Sequence, residues 1–164
     1  MRAMARDWTP LPHAPIAMVF GLLEYLRDAP GGREDLPKLG GPLGLELDDL
    51  LPVTEAAKQL GLVKIASGDI ELTSAGRMLA ASEAPERKER LRRHLFELPA
   101  IRRIREALQQ AESGRVRRSE FLDVLREHFS PVEADRQLQT ALDWARYGEL
   151  FDYDADTEEF VLAG

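Results

Sequence analysis

Five carboxylates crowd the end of the chain: Asp152, Asp154, Asp156, Glu158 and Glu159. Alternating acids in a turn are the donor set of a calcium loop, where oxygen ligands surround a hard cation. Such a loop begun at Asp152 needs glycine at its sixth position and glutamate at its twelfth. Thr157 and Ala163 stand there instead, so the acids read as a solvated turn and no metal is expected.

Other chemistry is equally short of parts. Gly40-Gly41-Pro42-Leu43-Gly44 has the glycines of a phosphate loop but no following Lys-Ser or Lys-Thr, and Pro42 removes an amide that phosphate binding uses. It reads as a turn between helices. His13, His94 and His128 match no metal-ligand spacing, and no serine is flanked as a nucleophile. The chain has no cysteine, which excludes disulfides, thiol nucleophiles and thiolate metal sites. These absences predict a protein that is not an enzyme and carries no cofactor.

What remains is charge. The net charge is −7, which works against a polyanionic partner. Its distribution is uneven: residues 86–118 carry eleven basic side chains against five acidic ones, a net of +6, leaving −13 for the rest. Arg92, Arg93, Arg102 and Arg103 are the centre of this band and a candidate basic patch for an acidic partner or anionic headgroups. Their alternative reading is a solvated helix face. With 44% hydrophobic and 31% charged residues, the remainder is composed like an ordinary globular protein. The longest uncharged apolar stretch, 14–23, is too short to span a bilayer, so no membrane insertion is expected.

The elements that position these residues are legible in the spacing. Ser130, Pro131 and Glu133 form an N-terminal capping pattern, and Leu138, Ala141, Leu142 and Ala145 recur on one helical face. Gly148 stands where a left-handed residue would end that helix. Residues 150–153 and 159–162 then pair as a hairpin. Earlier, Pro15 opens a helix with Ile16, Val19, Phe20, Leu23 and Leu26 inward, and Asp35 can cap a helical turn. A helix over 48–60 buries Leu50, Val53, Ala57 and Leu60 and stops at Gly61, strands follow at 63–65 and 70–72, and Thr73 caps the next helix. Between the two hairpins, Leu91, Leu95 and Leu98, then Ile101, Ile104 and Leu108, mark helices separated by Pro99, and Ser119 caps another.

This pattern predicts a mainly α protein with small β-hairpins, an α+β fold of tandem winged-helix modules. The expected division is 1–13 as an N-terminal tail or linker, 14–84 as the first module, and 85–164 as basic connecting helices with the second. Superimposing Gly61 on Gly148 relates the modules by 87 residues.

Winged helices often read DNA, and a DNA-binding transcriptional regulator is the alternative function. Lys58 and Gln59 on the first candidate helix face Asp48, Asp49 and Glu55, however, while Arg136, Gln137, Gln139 and Arg146 on the second are set against Glu133, Asp135 and Asp143. Nucleic acid is therefore not the expected partner. Trp144, Arg146, Tyr147 and Tyr153 are instead a candidate docking surface, because large amphipathic side chains anchor protein interfaces. Their bland reading is that Trp144 and Tyr147 seal helix against hairpin.

Four stretches carry a family resemblance: LPHAPIAMVFGLLEYL, GGREDLPKLGGPLGLELDDLLPVTEAAKQLGLVKIASGDIELTSAGRMLA, ERKERLRRHLFELPAI and LDWARYGELFDYDADTEEFVL. Together they resemble the AAA-associated C-terminal domain, found behind the ATPase domain in ATP-binding subunits of nitrate, sulfonate and taurine-type ABC importers. Asp69-Ile70-Glu71-Leu72-Thr73 with Gly76-Arg77, and Trp144-Ala145-Arg146-Tyr147 running to Asp154, are the most distinctive pieces. The resemblance implies a non-catalytic accessory or regulatory domain of a cytoplasmic ATPase, peripheral at the inner membrane through ABC transporter ATPase and permease subunits. A homodimer is compatible with paired winged helices. The sequence has no Walker A lysine, ABC signature or Walker B carboxylate, so it reads as an excised or stand-alone copy.

Overall fold

The computed structural model describes residues 8–163. Among them the chain is mainly helical, with eight helices and two small antiparallel sheets, an α+β arrangement. It divides into two compact units. One is Pro12–Leu91; the other runs from Arg92 to the end and takes in the segment that finishes at Leu11.

In the first unit, α1 (Ile16–Asp28) buries Ile16, Val19, Phe20, Leu23 and Leu26 as its spacing requires. Gly31 and Gly32, both at φ 68°, turn the chain into β1 (Arg33–Asp35). Next come α2 (Gly40–Leu43), α3 (Leu47–Gln59), β2 (Val63–Ala66), β3 (Asp69–Leu72) and α4 (Ser74–Ala81). α1 packs on α3 and α4. Thr73 caps α4 as expected: its Oγ1 accepts from the Gly76 amide at 3.0 Å and donates to the Gly61 carbonyl at 2.7 Å. The C-terminus of α4 is held by arginines, since the Ala80 carbonyl accepts from Arg27 at 3.0 Å and from Arg87 at 3.3 Å. Cations at that end complement the helix dipole.

α5 (Glu86–Phe96) contains the point where the chain passes from the first unit to the second. α6 (Pro99–Gln110), β4 (Arg115–Arg117), α7 (Arg118–Leu125), α8 (Pro131–Tyr147), β5 (Phe151–Asp154) and β6 (Glu159–Leu162) follow. Pro99 restarts the helix, and Ser130 Oγ caps α8 by accepting from the Glu133 amide at 3.2 Å. The core is aromatic at the hairpin: Phe160 meets Phe121 at 5.4 Å and Phe151 at 5.9 Å, both edge-on.

The two units repeat one order: helix, short strand, helices, hairpin. In each sheet the hairpin's second strand is central, β1-β3-β2 in one and β4-β6-β5 in the other. α3 and α8 also end alike. Leu62 donates to the Ala57 carbonyl and Gly61 to Lys58, while Leu150 donates to Ala145 and Glu149 to Arg146. This is the Schellman closure in both, and it pairs Leu62 with Leu150, a shift of 88 residues, not 87.

Several expectations are corrected. Gly148 is not the left-handed residue: its φ is −80°, and Glu149 takes φ 58°. Gly148 instead sits in a close approach: a Cβ there would lie 2.8 Å from Leu95 Cδ1, so the leucine side chain would have to shift. Each hairpin gains a third strand that spacing did not reveal. Arg33-Glu34-Asp35 and Arg115-Val116-Arg117 are short and charged, and only pairing with β3 and β6 makes them strands. Asp35 accordingly ends β1 and makes no side-chain cap. Ser119 lies inside α7, whose N-cap is Arg117. The Gly40-Gly41-Pro42 segment is itself one helical turn.

Residues 1–7 of the expected tail lie outside the described residues, but 8–11 are docked. Trp8 and Leu11 are buried, and Leu11 exchanges both backbone bonds with the Gln137 side chain, at 2.8 and 3.0 Å. That also removes Gln137 from the set of outward readers on α8.

Candidate functional site

One member of the expected basic patch, Arg92, reaches the turn where α8 runs into β5. The turn Gly148-Glu149-Leu150 has carbonyls that the helix itself does not use, and orphaned carbonyls at a helix end need donors. Two arginines supply them. Arg92, on α5, donates from Nε to the Gly148 carbonyl at 2.7 Å, and Arg105, on α6, donates from Nη1 to the Leu150 carbonyl. Arg92 also lies 3.5 Å from the Glu149 carboxylate. Burial, then the positive charge of Arg92, pushes the Arg105 guanidinium below its ordinary value. Arg92, Arg105, Glu149 and Ala163 line a cavity of about 370 Å³.

The expected docking quartet does not form one surface. Trp144 is fully buried in the core behind this turn. An inward indole cannot anchor a partner, so Trp144 is withdrawn from the candidates. Tyr147 is half-buried. Arg146 is exposed and pairs with Asp152 at 2.8 Å. Tyr153 leans on Phe160 at 5.1 Å.

The four arginines of the expected basic patch differ in their surroundings. Arg93 is exposed, Arg102 reaches the Glu97 carbonyl at 3.4 Å, and the Nε of Arg103 is shielded from solvent. Arg92 is tied to the turn. Arg105 is a further residue at this turn that the charge pattern alone does not single out. The available signal was its position beside Ile104, at the edge of the apolar stripe of α6, where a long side chain reaches from core to rim.

The acidic turn is organised by its own groups. Asp154 Oδ1 accepts from the amides of Asp156 and Thr157, and its other oxygen lies 3.1 Å from Arg115, which also meets Glu159 at 3.3 Å. The arginine holds the Asp154 carboxyl below the usual carboxylate range. Among the described residues, no group of three or more His, Asp or Glu side chains is arranged to hold a metal ion.

A different surface stands out in the first unit. Leu47 is 64% exposed and Leu51 is 47% exposed. They lie one turn apart on α3, along the edge of the face that buries Leu50, Val53, Thr54 and Ala57. Exposed Glu46, Asp48, Asp49 and Glu55 surround them, with Lys58 further along. Spacing assigned the inward residues of α3 and left these leucines unremarked.

Among the described residues, each unit is mainly helical with one small antiparallel sheet. The chain belongs to the C-terminal AAA-associated domain family: that family's model matches residues 37–154, well over half the chain and parts of both units. The family's name implies association with an AAA-type ATPase. No curated protein and no solved structure matches the chain. No helix among the described residues is long and apolar enough to cross a membrane.

Proposed function

We propose that the protein is a non-catalytic accessory or regulatory domain that docks on the ATPase of a nitrate, sulfonate or taurine-type ABC importer, in the cytoplasm and peripheral to the inner membrane. Family membership over residues 37–154 is the observation that carries this reading. We also read each unit as a winged helix. The order helix, strand, helix, helix, strand, strand, with the last strand central, is what supports that assignment.

In this reading α3, the helix that a DNA-binding winged helix would place in the groove, meets protein instead. Leu47 and Leu51 offer about two exposed side chains of apolar area, and the rim of Glu46, Asp48, Asp49 and Glu55 selects the partner's charge. The occupant is an apolar patch on the ATPase subunit bordered by lysine or arginine. The same acidic rim opposes the phosphates of a duplex, which disfavours the transcription-regulator alternative. A homodimer through these faces is a further arrangement that sedimentation would detect.

The test is co-purification with an ATP-binding subunit of such an importer, alongside its rate of ATP hydrolysis. Binding by the wild type, lost in Leu47→Arg/Leu51→Arg, supports docking through α3. Equal binding by both proteins places docking elsewhere, and no binding removes the proposed partner.

A further inference from the structure

The cavity beside the Gly148-Glu149-Leu150 turn has features that turn closure alone does not require. Satisfying two carbonyls takes two donors, whereas the arginines bring ten N–H groups between them. Each guanidinium is fixed by a backbone oxygen, Arg92 by Gly148 at 2.7 Å and Arg105 by Leu150, so ordering the pair for a ligand costs little. Both line the same cavity, where like charges raise one another's energy until an anion enters. Burial and the neighbouring Arg92 already depress the Arg105 guanidinium's affinity for its proton, as that repulsion requires.

Among the described lining residues Glu149 is the carboxylate; it lies 3.5 Å from Arg92 and leaves those residues one positive charge in excess. A monoanion gains little by replacing it, because Glu149 is tethered and the competing carboxylate is always at hand. A dianion matches both guanidiniums and can displace it. Phosphate does so with oxygens spaced for the forked donors of arginine. The volume adds a further constraint. The cleft of about 370 Å³, bordered by part-exposed Arg92 and Glu149, leaves room beside a phosphate for the group esterified to it.

We propose that this cavity binds the dianionic phosphate of a small phosphomonoester, with Arg92 and Arg105 as its ligands and Glu149 as the internal competitor it displaces. The site is independent of the α3 docking surface and of the identity of the ATPase.

The experiment is an NMR titration of the full chain in phosphate-free buffer near pH 8, following the amides of residues 148–150 and the arginine Nε–H groups. The probes are phenyl phosphate, inorganic phosphate and sodium chloride at matched ionic strength. Saturable shifts are expected with phenyl phosphate, weaker ones with inorganic phosphate, and none with chloride. Glu149→Gln should tighten phenyl phosphate binding about two- to fivefold, the range expected for removing one exposed ion pair. Arg105→Gln should abolish it, and the glutamate variant keeps the test decisive should that arginine prove necessary for folding. Equal affinity for the two phosphates assigns the site to the free ion and overturns the phosphomonoester. No saturable shift, or a Glu149→Gln variant that binds no tighter, overturns the site.

Discussion

Gly61 and Glu149 occupy the same place in the two units. Each is the left-handed residue after the helix that precedes a hairpin, at φ 75° and 58° respectively. Glycine adopts that conformation without strain, whereas a side chain there costs about 1 kcal/mol. Glu149→Gly is therefore predicted to stabilise the protein by about 0.5–1 kcal/mol, after losing its exposed pairing with Arg92. Gly61→Ala should cost about 1 kcal/mol through conformation alone, because open space surrounds that position. Thermal denaturation of both variants checks the pair, and their shifts should have opposite signs.

Gly76 answers to a different constraint. A Cβ on it would lie 2.0 Å from the Leu62 carbonyl oxygen, a backbone atom with no rotamer to escape through. Gly76→Ala should destabilise by about 3 kcal/mol or more, at the upper end of overpacking costs. Chemical denaturation is the measurement, with Gly41→Ala, which meets nothing, as the neutral comparison.

Gln137 ties the N-terminal segment to α8 through buried bonds to both backbone groups of Leu11. Gln137→Leu leaves those groups unpaired, at about 1–3 kcal/mol. Limited proteolysis should then cut near Leu11 faster than in the wild type, before the body of the chain is attacked.

Asp154 is held below its ordinary range mainly by its bond to Arg115. A carboxylate depressed in the folded state binds fewer protons there than in the unfolded chain. Its stabilising contribution is present above the unfolded value of about 3.9 and is lost as pH falls through the lower folded value. Arg115→Gln should shrink the acid-induced loss of stability below about pH 4, with denaturation midpoints between pH 2 and 6 as the readout.

Apolar periodicity revealed the helices because burial writes one face of each: Ile101, Ile104 and Leu108 could be placed inward with no structure in hand. The third strands could not be read. Arg33–Asp35 and Arg115–Arg117 owe their conformation to partners 34 or more residues away, not to their own composition. Gly148 misled for a related reason, since glycine serves either conformation or close approach and spacing does not separate the two. At the site, Trp144 looked like an anchor by residue type, but its burial depends on how α8 meets β5. Arg105 and the exposed Leu47 and Leu51 are not singled out by spacing, because a charge near a core stripe, or a leucine outside one, has no periodic signature.

Docking of α3 on an ATPase subunit through its leucine pair is the proposed role of the first unit. Its most direct test is the binding affinity of the wild type and of Leu47→Arg/Leu51→Arg for an importer ATP-binding subunit, with folding of both confirmed by circular dichroism. Truncating interface anchors typically costs more than 1 kcal/mol each, so a loss of about tenfold or more is predicted for the double variant. Wild-type affinity retained by the folded variant would contradict the account.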